Sequence, residues 1–86
     1  METKMSSVEE LLESFRANPK AARFLDVKRV CEHYFGKPRV HGSHYVFRTP
    51  WRGDPRVNIQ NKSGYVAPYQ VKQVLSAIER MEAQRD

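Results

Sequence analysis

His44 is the side chain in this 86-residue sequence best suited to moving a proton. A histidine has an ordinary pKa of about 6.5, so it can give or take a proton near neutrality. On an extended chain its side chain points to the same side as that of Arg48, and an arginine can stabilise charge on a phosphate. RNA supplies its own nucleophile, the 2′-hydroxyl group. A histidine placed among arginines could therefore cleave RNA without a metal ion.

The basic residues are concentrated in the middle third of the chain. Residues 1–36 and 63–86 each carry equal numbers of acidic and basic side chains, whereas residues 37–62 have Asp54 as their one acidic residue. The basic residues of this segment are Lys37, Arg39, Arg48, Arg52, Arg56 and Lys62. A local basic excess is typical of a surface that binds a polyanion, because each neutralised phosphate releases a counterion. The alternative is a surface whose charges only keep the protein in solution.

Two helices are predicted before this basic segment. The first covers residues 7–17, where Ser6 or Ser7 can form a capping box with the glutamate three residues later. We expect the second to begin at Asp26 as its N-cap and to end before Gly36. In an alternative, that helix begins at Pro19 with Asn18 as its cap, and a bent entry segment buries Phe24 and Leu25. A third helix follows Pro68 and shows apolar residues with a period of 3.6.

Three short strands are predicted between the second and third helices, from β-branched and aromatic residues and from alternating polarity. They cover residues 39–41, 44–49 and 56–60. The segments between and after them are a turn or bulge at 42–43, a loop at 50–55 and turn residues at 61–64. This order predicts an α+β fold in one domain over residues 1–86, with an antiparallel three-stranded meander and helices on one face.

The other face of the sheet is predicted to be open and polar. If Tyr45 and Phe47 pack under the helices, the open face carries His44, Arg48, Arg56, Asn58 and Gln60. The reverse assignment would bury Arg48, which is costly unless its charge is paired. We therefore favour the first assignment.

The run Gly42-Ser43-His44-Tyr45-Val46-Phe47-Arg48 resembles the Gly-Ser-His strand motif of the HicA family of bacterial toxins. The segments 31–36 and 69–75 are also similar to that family, and residues 49–60 resemble its actinobacterial-type branch. The resemblance covers roughly residues 24–82. It implies a double-stranded-RNA-binding-like fold of order α-β-β-β-α, and a translation-independent mRNA endonuclease with His44 as its catalytic residue. It also implies a HicB-type antitoxin that covers the active face.

From the face assignment and the resemblance together we expect RNA to be bound by Arg39, Ser43, Arg48, Arg56, Asn58, Gln60 and Lys62. The sequence departs from the family pattern in its extra helix at 7–17 and its proline-bounded loop at 50–55. It also lacks the Pro-x-His element after the third strand, where Gln60-Asn61-Lys62 stands instead. We therefore expect a mechanism with one histidine, assisted by Lys62 or an arginine, and no metal or cofactor.

Three other functions compete with this hypothesis. A binder of double-stranded RNA usually has basic residues at the start of the last helix, where this chain has only Lys72. A metal site could draw on Cys31, His33, His41 and His44, but no spacing among them matches a zinc motif. A protein-interaction module could use the apolar stripe of residues 8–15, although such stripes more often cover a core. Trp51 could stack on a base or pack against Phe47.

The sequence offers little sign of export or membrane insertion. Cys31 is the single cysteine, so no intramolecular disulfide can form. Residues 1–10 have no apolar run of the kind found in signal peptides, and no segment approaches the roughly 18 apolar residues of a membrane span. We expect a cytoplasmic protein without membrane contact.

Overall fold

The computed structural model describes residues 7–84 and has the predicted element order. The helices are α1 (Val8–Ala17), α2 (Phe24–Phe35) and α3 (Pro68–Ala83), and a 3₁₀ turn (Pro19–Ala21) separates the first two. The strands are β1 (Arg39–His41), β2 (His44–Phe47) and β3 (Val57–Gln60). The α+β fold class is confirmed. None of the helices in the described range is both long enough and apolar enough to span a membrane.

Helix α1 begins with one of the two predicted capping boxes. The Ser7 hydroxyl accepts from the Glu10 amide at 3.1 Å, and the Glu10 carboxylate accepts from the Ser7 amide at 3.0 Å. The alternative cap, Ser6, lies outside the described residues. The apolar stripe of α1 is buried in the common core through Leu11, Leu12 and Phe15. It covers the core and does not offer a surface to a partner helix.

Helix α2 begins at Phe24, and both predicted starts are wrong. The Phe24 amide donates to the Gly64 carbonyl at 2.8 Å, and the Val66 amide donates to the Ala22 carbonyl at 3.0 Å. This pairing with a distant segment directs the Phe24 ring into the core and starts the helix two residues before Asp26, which lies in the first turn. Leu25 is 74% exposed, contrary to the alternative in which it is buried.

The sheet is an antiparallel meander of order β1-β2-β3. A two-residue turn joins β1 to β2. Gly42 has a φ of 59° there, in the left-handed region, where only glycine is free of a steric penalty. Strand pairing ends at Phe47 opposite Val57, so β2 and β3 are shorter than predicted. The loop from Arg48 to Arg56 has hydrogen bonds of its own, from the Thr49 hydroxyl to the Trp51 carbonyl and from Trp51 Nε1 to the Pro55 carbonyl.

The helices cover β2 and β3, and this confirms the predicted face assignment. Phe47, Val57 and Ile59 are buried in the core, while His44 and Arg48 are exposed. Tyr45 is half-buried, with its ring in an edge contact with Phe24 at 4.9 Å between centroids. No helix in the described residues packs against β1, which leaves that strand exposed along its length.

Cys31 is fully buried on α2, where desolvation and then the neighbouring Glu32 raise the pKa of its thiol to about 12. Because the thiolate is the reactive form, we expect the native protein to resist a thiol reagent such as DTNB at pH 8. One equivalent should react after unfolding in guanidinium chloride. Labelling of the native protein at the rate of the unfolded chain would contradict this placement.

Candidate nucleic-acid interface

Two rows of side chains cross the open face of the sheet, because directly opposite residues of paired strands share a face. One row contains His41, His44 and Gln60. The next contains Arg39, Val46 and Asn58. Four of the predicted site residues thus come together on adjacent strands, namely Arg39, His44, Asn58 and Gln60. His41, which the sequence suggests only as a possible metal ligand, lies directly opposite His44.

The remaining predicted residues flank these rows. Ser43 is in the turn that precedes His44, and its side chain is exposed. Arg48 and Arg56 are exposed just beyond the last strand pair, at the other end of the face. Lys62 is exposed in the turn after β3, where its backbone pairs with Tyr65. The basic residues therefore lie at both ends of the face and the histidines near one end.

The ring of His44 is oriented by Asn58. Its Nδ1 lies 3.2 Å from Oδ1 of Asn58, a carbonyl oxygen that can only accept a hydrogen bond. In the neutral ring this partner places the proton on Nδ1 and leaves Nε2 without one. The His44 side chain is exposed, so Nε2 is an accessible proton acceptor. This is the tautomer that a general base requires.

A chain of hydrogen bonds links the turn beside His44 to helix α3. The Gln60 amide Nε2 donates to Ser43 Oγ at 3.2 Å. Oε1 of Gln70 accepts from the backbone N–H of Gln60 at 3.1 Å, and Nε2 of Gln70 lies 3.5 Å from Gln60 Oε1. Gln70 is 3% exposed and is the one polar residue in the described core.

Sequence reasoning missed Gln70, although a signal was present. Residue 70 precedes Val74 by four positions and Ile78 by eight, so it lies on the apolar stripe of α3. A glutamine on such a stripe must find partners for its amide, because an unpaired buried polar group is costly. Here two of the partners belong to Gln60, the residue directly opposite His44.

Two open grooves run along the basic side of the face and meet at Val46. The first is lined by Phe35, Lys37, Pro38, Arg39, Val46 and Arg48. The second is lined by Val46, Phe47, Thr49, Trp51, Arg52, Gly53 and Arg56. Each groove combines an apolar floor with guanidinium or ammonium groups, as a nucleic-acid backbone with unstacked bases would need. His44 lies outside both grooves, two residues along β2 from Val46, a distance of about 7 Å.

Trp51 is half-buried and packs against the core from the loop. Its Nε1 donates to the Pro55 carbonyl at 2.9 Å, and the Arg80 guanidinium lies over its ring at 4.6 Å from the centroid. Arg80 also donates to the Asp54 carbonyl at 3.2 Å. The ring face under Arg80 is thus not available to a base.

Replacing Arg80 with alanine should loosen this loop. We expect the free energy of unfolding to fall by about 1 kcal/mol, since one cation–π contact and one hydrogen bond are lost near the surface. Because Trp51 is the single tryptophan, its emission should shift to longer wavelength as the ring becomes wetter. Lys20→Ala, which also removes a positive charge but from an exposed position of the 3₁₀ turn, should change neither measurement. Identical spectra for both variants would show that Arg80 does not hold the loop.

Comparisons with protein-family models, with curated proteins and with solved structures find no match to this chain. The family suggested by the Gly-Ser-His strand, and the double-stranded-RNA-binding-like assignment of the fold, therefore remain predictions from sequence.

The four residues considered as metal ligands are spread over two parts of the molecule. Cys31 is buried within α2 and His33 is exposed on the same helix, in an edge contact with Tyr34 at 5.0 Å between ring centroids. His41 and His44 lie on the sheet. Among residues 7–84, no three His, Cys, Asp or Glu side chains are grouped as a metal ion would need. These four residues therefore do not form a single group in the part of the chain that the structure describes.

Proposed function

We propose that this protein is a metal-independent endoribonuclease of the HicA type that cleaves mRNA. The observation that carries the proposal is the environment of His44: its Nδ1 is held by Asn58 while the exposed ring lies on a basic sheet face. A general base must have its accepting nitrogen free and the scissile group within reach. An exposed strand satisfies both requirements without a deep pocket.

In the proposed reaction, Nε2 of His44 takes the proton of a ribose 2′-hydroxyl group. The 2′-oxygen then bonds to the adjacent phosphorus, and the bond from phosphorus to the 5′-oxygen breaks. The leaving oxygen takes up a proton from water, and the His44 imidazolium gives its proton to the hydroxide ion that results, so the base is regenerated and the products are a 2′,3′-cyclic phosphate and a 5′-hydroxyl end. Lys62 or an arginine of the face assists by neutralising charge on the phosphate. No other reactant is needed.

We propose a HicB-type antitoxin as the protein partner, seated on the open face. The exposed arginines would attract an acidic surface, and a protein covering His44 would block RNA at the same time. Co-expression with such a partner should relieve any growth inhibition caused by this protein. Relief that persists when the antitoxin no longer binds the purified protein would argue against direct neutralisation.

The test of the activity uses two RNAs of one sequence, one natural and one with 2′-O-methyl groups throughout. In excess EDTA, we expect the purified protein to cut the natural strand and to leave the methylated strand intact. Mass spectrometry should find cyclic phosphate ends. Cleavage that requires added Mg²⁺, or cleavage of the methylated strand, would rule out the proposed chemistry.

The alternative is a non-catalytic RNA-binding module. It is favoured by one observation, namely that His44 lines neither of the two basic grooves. In that case both RNAs should bind with equal affinity and neither should be cut.

A further inference from the structure

We propose that Ser43 and Gln60 form a phosphate-binding subsite beside His44, and that the buried Gln70 is the positioning residue that orients it. The ligand class is a phosphate oxyanion. The inference rests on the proposed function for the identification of that oxyanion as the phosphodiester of RNA, but the subsite can be tested without RNA.

The backbone N–H of Gln60 determines how the neighbouring amide side chains are oriented. The backbone N–H of Gln60 can only donate, and it lies 3.1 Å from Oε1 of Gln70. The oxygen of the Gln70 amide must therefore face β3. Its nitrogen then donates to Oε1 of Gln60 at 3.5 Å and to the Tyr69 hydroxyl at 3.4 Å. A rotated Gln70 amide would set a donor against a donor inside the core, which is costly.

The orientation of Gln70 determines that of Gln60. Because Oε1 of Gln60 faces the nitrogen of Gln70, its own nitrogen faces Ser43 and donates to Oγ at 3.2 Å. Ser43 Oγ is then an acceptor in this bond, and its hydroxyl proton is free for another partner. Since Ser43 is exposed in the turn, that proton is available to a ligand on the open face.

The result is a pair of hydrogen-bond donors on neighbouring side chains beside His44. Ser43 contributes its O–H, and Gln60 contributes the second hydrogen of its amide nitrogen. Oδ1 of Asn58, a carbonyl oxygen on the same face, is already engaged by the ring of His44. Such donors favour an oxyanion as their ligand, because a hydrogen bond to a charged acceptor is stronger than one to a neutral acceptor.

A purely structural role for Gln70 makes a different prediction. To protect the exposed edge of β3, the Gln60 N–H needs only an acceptor, and a carboxylate would serve equally well. Gln70→Glu keeps that acceptor but removes the donor to Gln60. The Gln60 amide should then rotate, so that its oxygen faces Ser43 and the serine hydroxyl is turned inward. The subsite should be lost although the edge stays covered.

The experiment titrates inorganic phosphate against ¹⁵N-labelled protein and follows the backbone amides of Ser43, His44 and Gln60 by NMR. We expect saturable shifts in the wild type. Affinity should be about tenfold weaker or worse in Ser43→Ala and in Gln70→Glu, the size expected for losing a hydrogen bond to a charged group. Ser76→Ala and Gln73→Glu are the matched controls, because they make the same changes at exposed positions of α3.

Each outcome decides a separate part of the proposal. Unchanged phosphate affinity in Ser43→Ala would show that Ser43 does not bind phosphate, and the proposed subsite would be wrong. Weaker phosphate binding in Ser43→Ala but not in Gln70→Glu would show that Gln70 does not orient the subsite. Melting temperatures of the variants show whether a loss of phosphate affinity results from unfolding. Ser43→Ala alters only an exposed turn, so its melting temperature should be unchanged. A wild type that binds phosphate here but never cuts RNA would overturn the proposed function and leave the subsite standing.

Discussion

Replacing His44 with alanine is expected to lower the rate of RNA cleavage by about 10²- to 10⁴-fold, the range that a general acid or base contributes. The substitution removes the accessible Nε2 and leaves the basic face in place. Because the side chain is exposed, the free energy of unfolding should change by no more than about 0.5 kcal/mol. The measurement is the initial rate of cleavage of a fluorescently labelled RNA, with affinity determined separately on the 2′-O-methyl strand.

Two other histidines provide matched controls for this result. His33 is exposed on α2, away from the sheet, and His33→Ala should leave the rate unchanged. His41 lies directly opposite His44, so it tests whether one histidine is enough. The proposed mechanism expects His41→Ala to retain activity within about threefold, since a surface substitution outside the mechanism has a small effect. A loss as large as that of His44→Ala would make the two rings a catalytic pair.

Much of the candidate site could be predicted because the side chains of a strand alternate strictly. Once Phe47 was assigned to the core, His44 had to lie on the other face, and the turn at Gly42 brought the neighbouring strand into register. Asn58 and Gln60 followed from the same alternation in β3. No knowledge of distant contacts was needed, because the connections between these strands are short or strongly marked by turn residues.

The features that sequence reasoning missed depend on contacts between distant segments. The start of α2 is determined by pairing of residues 22–24 with residues 64–66, and this overrides a good local N-cap at Asp26. The loop conformation depends on Arg80, which is 26 residues from its partner Asp54. The orientation of the Gln60 amide depends on Gln70 in the same way. Local patterns carry no information about such partners.

Replacing Arg48 and Arg56 together with glutamine is expected to weaken RNA binding by roughly 25-fold at 0.1 M salt. For single strands each phosphate contact contributes about 0.7 to the slope of log affinity against log salt, which is about fivefold per contact at that concentration. The slope should therefore fall by about 1.4 in the double variant. Both residues are exposed at the end of the open face, so the fold should be unaffected.

The control for this prediction changes the net charge equally but elsewhere. Lys20 and Lys72 are exposed on the 3₁₀ turn and on α3, and their replacement with glutamine also removes two positive charges. If the sheet face contacts the RNA backbone, this pair should alter affinity by no more than about twofold, since charges farther away than a Debye length of about 8–10 Å are largely screened. Equal losses in both double variants would mean that only the overall charge attracts RNA. The excess of basic residues in the middle of the chain would then serve solubility, and the case for an RNA-binding face would rest on His44 and its neighbours alone.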